Sequence, residues 1–180
     1  MEVKLMAFLT DMVLRKYIPE PGISQVVVPE GITRIGECAF KGCTELESVI
    51  VPEGVTRIGY LAFKDCINLK TIKLPGSVEE IQAFAFENCK SLSEITLPCR
   101  LRSIEQGAFW GCETLRSIEI PDSVKQIGHF LDLWFDTVGA FEDCKNLKEI
   151  KLGLDSNFVI YEGALWTKDM TQKLFEFAVE

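Results

Sequence analysis

Seven cysteines, one histidine and twenty-seven acidic residues are the groups in this 180-residue sequence with obvious chemistry to offer. A cysteine can act as a nucleophilic thiolate, a disulfide partner or a soft metal ligand, and each role demands its own neighbourhood. Cys43, Cys66, Cys89, Cys112 and Cys144 all share the flanking pattern Phe-x-x-Cys-x-x-Leu, and the first four stand 23 residues apart. A thiol set between apolar residues behaves as a small buried hydrophobe, so the pattern predicts a reduced packing column. Neighbouring members would lie about 4.8 Å apart on adjacent strands. That spacing also permits a bridge between rungs, and a metal site is a third reading, weakened by the presence of a single histidine. Cys99 is different. Its repeat equivalents Glu30, Glu53, Gly76 and Asp122 are turn residues, so it is expected at the surface, as the thiol most open to cross-linking between chains.

Catalysis finds little to work with. His129 has no nucleophile that its spacing singles out, and Asp132 and Asp136 would meet only on a helix. The glycines mark repeat bends and form no phosphate-binding loop after a strand. The expectation is a non-enzymatic chain with no catalytic residue, cofactor or metal.

The elements that position these residues follow from one number. Pro29, Pro52, Pro75, Pro98 and Pro121 recur every 23 residues, as do Ile35, Ile58, Ile81, Ile104 and Ile127, and Phe40, Phe63, Phe86 and Phe109. A fixed period of this size marks a solenoid, whose units bury their apolar faces by stacking on neighbours. Around the unit Val49–Thr71, the apolar spacing from Leu46 through Val49 to Val51 reads as a short strand with alternate residues inward. Pro52 ends it, Glu53-Gly54 turns, Val55 and Ile58 return to the core, and Gly59 permits a tight bend.

An apolar content of 47% and a mean hydropathy of +0.14 argue for a folded core. The net charge of −8 leaves no basic stripe for nucleic acid and disfavours anionic membranes. No run approaches the ~20 apolar residues that span a bilayer. Leu5–Leu9 offers five apolar residues, too few for a signal-peptide core. Localisation is therefore open between a cytoplasmic chain and a fragment of an exported one.

The pattern x-I-x-L-P-x-x-V-x-x-I-G-x-x-A-F-x-x-C-x-x-L resembles the BspA-like class of bacterial leucine-rich repeats, over residues 26 to about 150. The resemblance implies a β-rich leucine-rich-repeat solenoid, with a parallel sheet on one face and short turns and extended segments on the other. It also implies non-enzymatic binding, often to host or matrix proteins by surface-anchored members. The expected organisation is an N-terminal cap over 1–25, repeats over 26–152 with units starting near 26, 49, 72, 95 and 118, and a β-hairpin cap over 153–180. Phe158–Asp169 reads as two strands around Glu162-Gly163, with Leu174–Phe177 as a third. Phe8–Tyr17 reads as a weaker hairpin turning at Asp11-Met12, with an amphipathic helix as the alternative.

Two surfaces are candidates for partner binding. Strand alternation presents Lys70, Lys73, Glu94, Arg116 and Glu119 in outward rows, which read either as a docking surface or as a solvated sheet face. The second is a nine-residue insertion in the last unit, holding Phe130, Leu131, Leu133, Trp134 and Phe135. Such an aromatic cluster is the composition of an interface hot spot. The rings would serve a partner or self-association, or fold back on the protein. Trp110 joins them, because its equivalents Lys41, Lys64, Glu87 and Glu142 are charged. A protein partner is expected, with no nucleic acid and no membrane insertion. A structural spacer is the alternative, and carbohydrate binding through Trp110 and Trp134 is a further one.

Overall fold

A computed structural model describes residues 7–10, 12–128 and 139–177. Its strands in chain order begin with β1 (Ala7–Thr10), β2 (Val13–Tyr17), β3 (Gln25–Val27), β4 (Arg34–Ile35), β5 (Ser48–Ile50), β6 (Arg57–Ile58), β7 (Thr71–Lys73) and β8 (Glu80–Ile81). They continue with β9 (Glu94–Ile95), β10 (Ser103–Ile104), β11 (Ser117–Ile120), β12 (Gln126–Ile127), β13 (Glu149–Leu152), β14 (Phe158–Tyr161), β15 (Ala164–Thr167) and β16 (Lys173–Glu176). There is no helix among the described residues.

Each 23-residue step closes one circuit with two walls. The wide wall is parallel, with Val26, Val49, Ile72 and Ile95 in register along β3-β5-β7-β9. Each of these residues is buried between outward neighbours, so Thr71 and Lys73 face solvent on either side of Ile72. The opposite segments, expected only as extended pieces, also pair. Ile35, Ile58, Ile81, Ile104 and Ile127 align in a narrow wall of two-residue strands. Gly59 sits there because a Cβ would come within 2.7 Å of the Ile35 oxygen and 2.8 Å of the Gly36 carbonyl carbon. Further along, Gln82 and Glu105 take this position, and their side-chain oxygens accept the N–H groups of Tyr60 and Ala83.

Between the walls runs an aromatic column. Phe40, Phe63, Phe86, Phe109 and Phe141 are fully buried and stacked, with centroids 4.8, 5.3, 5.3 and 5.7 Å apart and planes within 9°. These distances follow the strand spacing, since identical rungs repeat along the axis. Beside each ring lies the thiol predicted to be buried. The Sγ atoms of Cys66, Cys89, Cys112 and Cys144 donate to the carbonyls of Phe40, Phe63, Phe86 and Phe109, at 3.1 to 3.3 Å. All five column cysteines are free and buried, and Cys99 is exposed as expected. Burial pushes the thiols up, Cys43 to about 11 and Cys144 to about 12, and raises Cys66, Cys89 and Cys112 as well. That is the behaviour of structural, unreactive cysteines.

Both ends of the column are closed by aromatic residues. β1 and β2 form an antiparallel hairpin that pairs in parallel with β4, so the N-terminal segment is not the amphipathic helix kept as an alternative. Tyr17 lies 5.1 Å from Phe40, and its N–H donates to the Ala39 carbonyl as that of Phe63 does to Ala85. At the other end β14, β15 and β16 make an antiparallel sheet around the Glu162-Gly163 turn. Both turn residues have positive φ, 46° and 70°, as a two-residue hairpin loop of the type I′ class requires. Phe175 meets Phe141 edge-on at 6.0 Å, and Phe177 meets Phe175 at 5.3 Å.

Candidate protein-interaction surfaces

The wide wall carries the predicted rows. Lys70, Lys73, Glu94, Arg116 and Glu119 are all exposed, and their mutual positions differ. Lys70 pairs with Glu47 at 3.0 Å across adjacent rungs, with both side chains about half exposed. At the N-terminal end the rows turn apolar, Val27 and Ile50 being 66% and 46% exposed.

The wall is divided in two. β9 pairs with β7, and β11 pairs with β13, but no ladder joins β9 to β11 among the described residues. A cleft of about 420 Å³ lies there, lined by Glu94, Thr96, Cys99, Ser117, Glu119 and Lys151 over the apolar Ile95, Leu97 and Ile118. Two of the predicted residues, Glu94 and Glu119, thus share one concavity. Lys70 and Lys73 sit on the intact sheet beside it, and Arg116 is next to the cleft residue Ser117. Lys151, a member of the same outward row as Glu119, faces Glu119 across the β11–β13 pair.

Trp110 occupies a different edge, in the turns that lead from the narrow wall to the phenylalanine column. It is half-buried, and its Nε1 donates to Asp143 Oδ2 at 2.9 Å. Phe84 lies 6.2 Å from it, and Tyr60 lies 6.2 Å from Phe84, so three rings run diagonally over three rungs. The sequence reading missed Tyr60 and Phe84, because each belongs to a different repeat column. In the same turns Lys64 donates to Glu87 at 2.7 Å, which raises the lysine above its usual value. Glu105 is also raised, chiefly by burial. Phe130, Leu131, Leu133, Trp134 and Phe135 lie outside the described residues.

Among the described residues no group of three or more His, Cys, Asp or Glu is arranged to hold a metal ion, and no helix is long and apolar enough to cross a membrane.

Comparison with known proteins gives this geometry relatives. The profile of the BspA type leucine rich repeat region matches residues 19–131, in six copies. No curated protein matches significantly. The chain is similar to the leucine rich repeat protein of T. pallidum, with 27% identity, a TM-score of 0.67 and coverage of 82% of this chain and 78% of that one. It is also similar to a leucine rich cell surface protein of Faecalibacterium prausnitzii, at 33% identity and a TM-score of 0.70 over 78% of this chain. A leucine-rich repeat protein of Bacteroides ovatus matches at 28% identity and a TM-score of 0.68 over 82%. The chain spans only 35% and 39% of the length of these last two.

Proposed function

This chain belongs to the BspA-type leucine-rich repeat family, and from that premise we propose that it is a non-enzymatic protein-binding module of a bacterial surface or secreted protein. The observation that carries the reading is the cleft at the division of the wide wall, where Glu94, Glu119 and Lys151 meet over an apolar floor. Parallel strands place outward side chains at about 4.8 Å intervals, so an extended segment of a partner crossing the rungs would meet three rows at once. Buried apolar surface in the floor supplies affinity, and the charged rim supplies register. The F. prausnitzii relative is described as a cell surface protein, which supports placing this module outside the cell; a host or matrix protein is the partner proposed for it there. The aromatic insertion is the second proposed contact, able to serve a partner or a second copy of the chain.

The test compares three proteins as bait: the native chain, the Glu94→Lys/Glu119→Lys variant, and a chain lacking residues 131–139, which restores the 23-residue step. A partner that binds the native chain and is lost on charge reversal, with the melting temperature unchanged, supports the cleft. Loss only in the deletion moves recognition to the insertion. Absence of any partner points to a structural spacer.

A further inference from the structure

The rings of Tyr60, Phe84 and Trp110 are held by contacts particular to these rungs. Phe84 stands at φ 56°, in the left-handed conformation that its repeat column also takes at Cys38, Leu61 and Gly107 (φ 54°, 54° and 60°), so an aromatic side chain is set on a bend common to the rungs. Its ring lies over Gly107, where a Cβ would come within 2.3 Å of Phe84 Cε1. Trp110 is tilted 50° to Phe84 and tethered to Asp143. Tyr60, at the far end, is 41% exposed. Trp110 also stands between Glu87 and Glu142 in its own repeat column.

Charge is distributed unevenly around this strip. The turns at residues 36–43, 59–66, 82–89, 105–112 and 139–144 carry six carboxylates, on Glu37, Asp65, Glu87, Glu105, Glu142 and Asp143. Within those turns only Lys41 and Lys64 oppose them, with Lys64 already taken by Glu87, while Arg57 of the narrow wall acts on Glu105. On the outward rows of the wide wall, by contrast, acidic and basic residues nearly balance. Half of the net charge of −8 therefore lies on the edge that also carries the rings. The face of an aromatic ring attracts cations through its quadrupole, and nearby carboxylates reinforce that attraction.

We propose that the Tyr60–Phe84–Trp110 edge binds an extended arginine- or lysine-rich segment of a partner protein, whose cationic side chains lie over the rings. This deepens the protein-binding reading above and rests on it, while assigning recognition to a different surface from the cleft. Arginine suits the site better than lysine, since its planar guanidinium stacks on aromatic faces and is less strongly hydrated.

The experiment is fluorescence anisotropy with a labelled octapeptide of alternating arginine and glycine, alongside the same peptide with glutamate in place of arginine. The native chain is expected to bind the arginine peptide and to ignore the glutamate one. The informative variant is Trp110→Glu, since glutamate fills the same column at 87 and 142 and the fold should tolerate it. It removes a ring and adds a carboxylate. The proposal expects affinity for the arginine peptide to fall at least tenfold. Unchanged or tighter binding would mean that charge alone attracts the peptide, and the proposal falls. Phe84→Gly, matched by Gly107 in its column, is the second variant and should weaken binding in the same way. No binding by the native chain, or binding of a neutral glucan oligosaccharide in place of the peptide, also overturns the proposal. The bait experiment separates this from the broader reading. A captured partner that survives Trp110→Glu but is lost in Glu94→Lys/Glu119→Lys keeps the binding module and removes the aromatic edge from it.

Discussion

The two walls of the solenoid are cut from one repeat, yet only the narrow one is continuous. Its ladder runs through seven strands from β1 to β12, whereas the wide wall divides between β9 and β11. Along the narrow side an unbroken line of backbone bonds joins rung to rung. Thr33 donates to Met12, Thr56 to Thr33, Glu79 to Thr56, Arg102 to Glu79 and Lys125 to Arg102, all at 2.8 or 2.9 Å. Glycine at 36 and 59 lets the strands approach to contact, and the hydroxyls of Thr33 and Thr56 back the same carbonyls. The wide side has backbone bonds from Glu47 to Ser24, Lys70 to Glu47 and Lys148 to Arg116, but none joining β9 to β11 among the described residues. The narrow wall is thus the seam that holds the stack, and the wide wall is where the stack can open a recess without coming apart.

What the walls share should be the easiest thing to break. The thiol column lies between them, and its pH dependence has a definite sign. An unfolded thiol ionises near 9.0, while Cys43 holds its proton to about 11 and Cys144 to about 12. Above 9 the unfolded state therefore binds fewer protons than the folded state, and stability falls as pH climbs toward 12. Each thiol that stays protonated contributes a loss of about 1.4 kcal/mol per pH unit. Chemical denaturation at pH 8, 9 and 10 should show a steepening loss above 9. That excess should shrink in a variant with Cys66, Cys89 and Cys112 all changed to alanine. Phe86→Ala comes next. It removes a ring stacked on both Phe63 and Phe109 and should cost about 3–5 kcal/mol, read as a lower urea midpoint with an unchanged slope.

The contrast between the walls themselves is sharpened by two glycines. Gly59→Ala places a methyl against narrow-wall backbone that cannot move aside and should cost about 1–3 kcal/mol. Gly76→Ala, in the turn after the wide-wall strand β7, meets nothing within 4 Å and has no positive φ. Its effect should stay within about 0.5 kcal/mol. Equal losses at the two sites in parallel thermal melts would refute the seam.

These differences were unevenly visible in the sequence. The phenylalanine, isoleucine and cysteine columns declare themselves because burial constrains every rung alike, and Glu162-Gly163 declares its hairpin because few residue pairs tolerate that turn. Tyr17 carries a readable signal too: it precedes Phe40 by the same 23 residues and closes the ring column. The division of the wide wall carried none, since Glu94 and Ser117 keep the step although their strands do not pair. The pairing of the narrow wall was hidden for another reason. Two-residue strands are too short to show an alternating pattern. The aromatic diagonal leaves no mark in the repeat columns, because its contacts cross from one column to another.

The smallest expected effect is at Lys70, and its smallness bears on function. Lys70 and Glu47 form an ion pair on the wide wall, with side chains 58% and 44% exposed. Such a pair gains little Coulomb energy in water and is screened by salt, so Lys70→Ala should cost no more than about 0.5 kcal/mol. A thermal melt at low and high salt would check this, and a loss of several degrees would show that the outward rows hold the wall together. If the row is as dispensable to stability as its exposure indicates, its residues are free to vary for recognition while the seam opposite keeps the rungs in register. Lys64–Glu87, on the turn edge, has side chains only 25% and 11% exposed. Losing Lys64 would leave a largely buried carboxylate without its partner, which is why charge on that edge is tied to the fold in a way that charge on the wide wall is not.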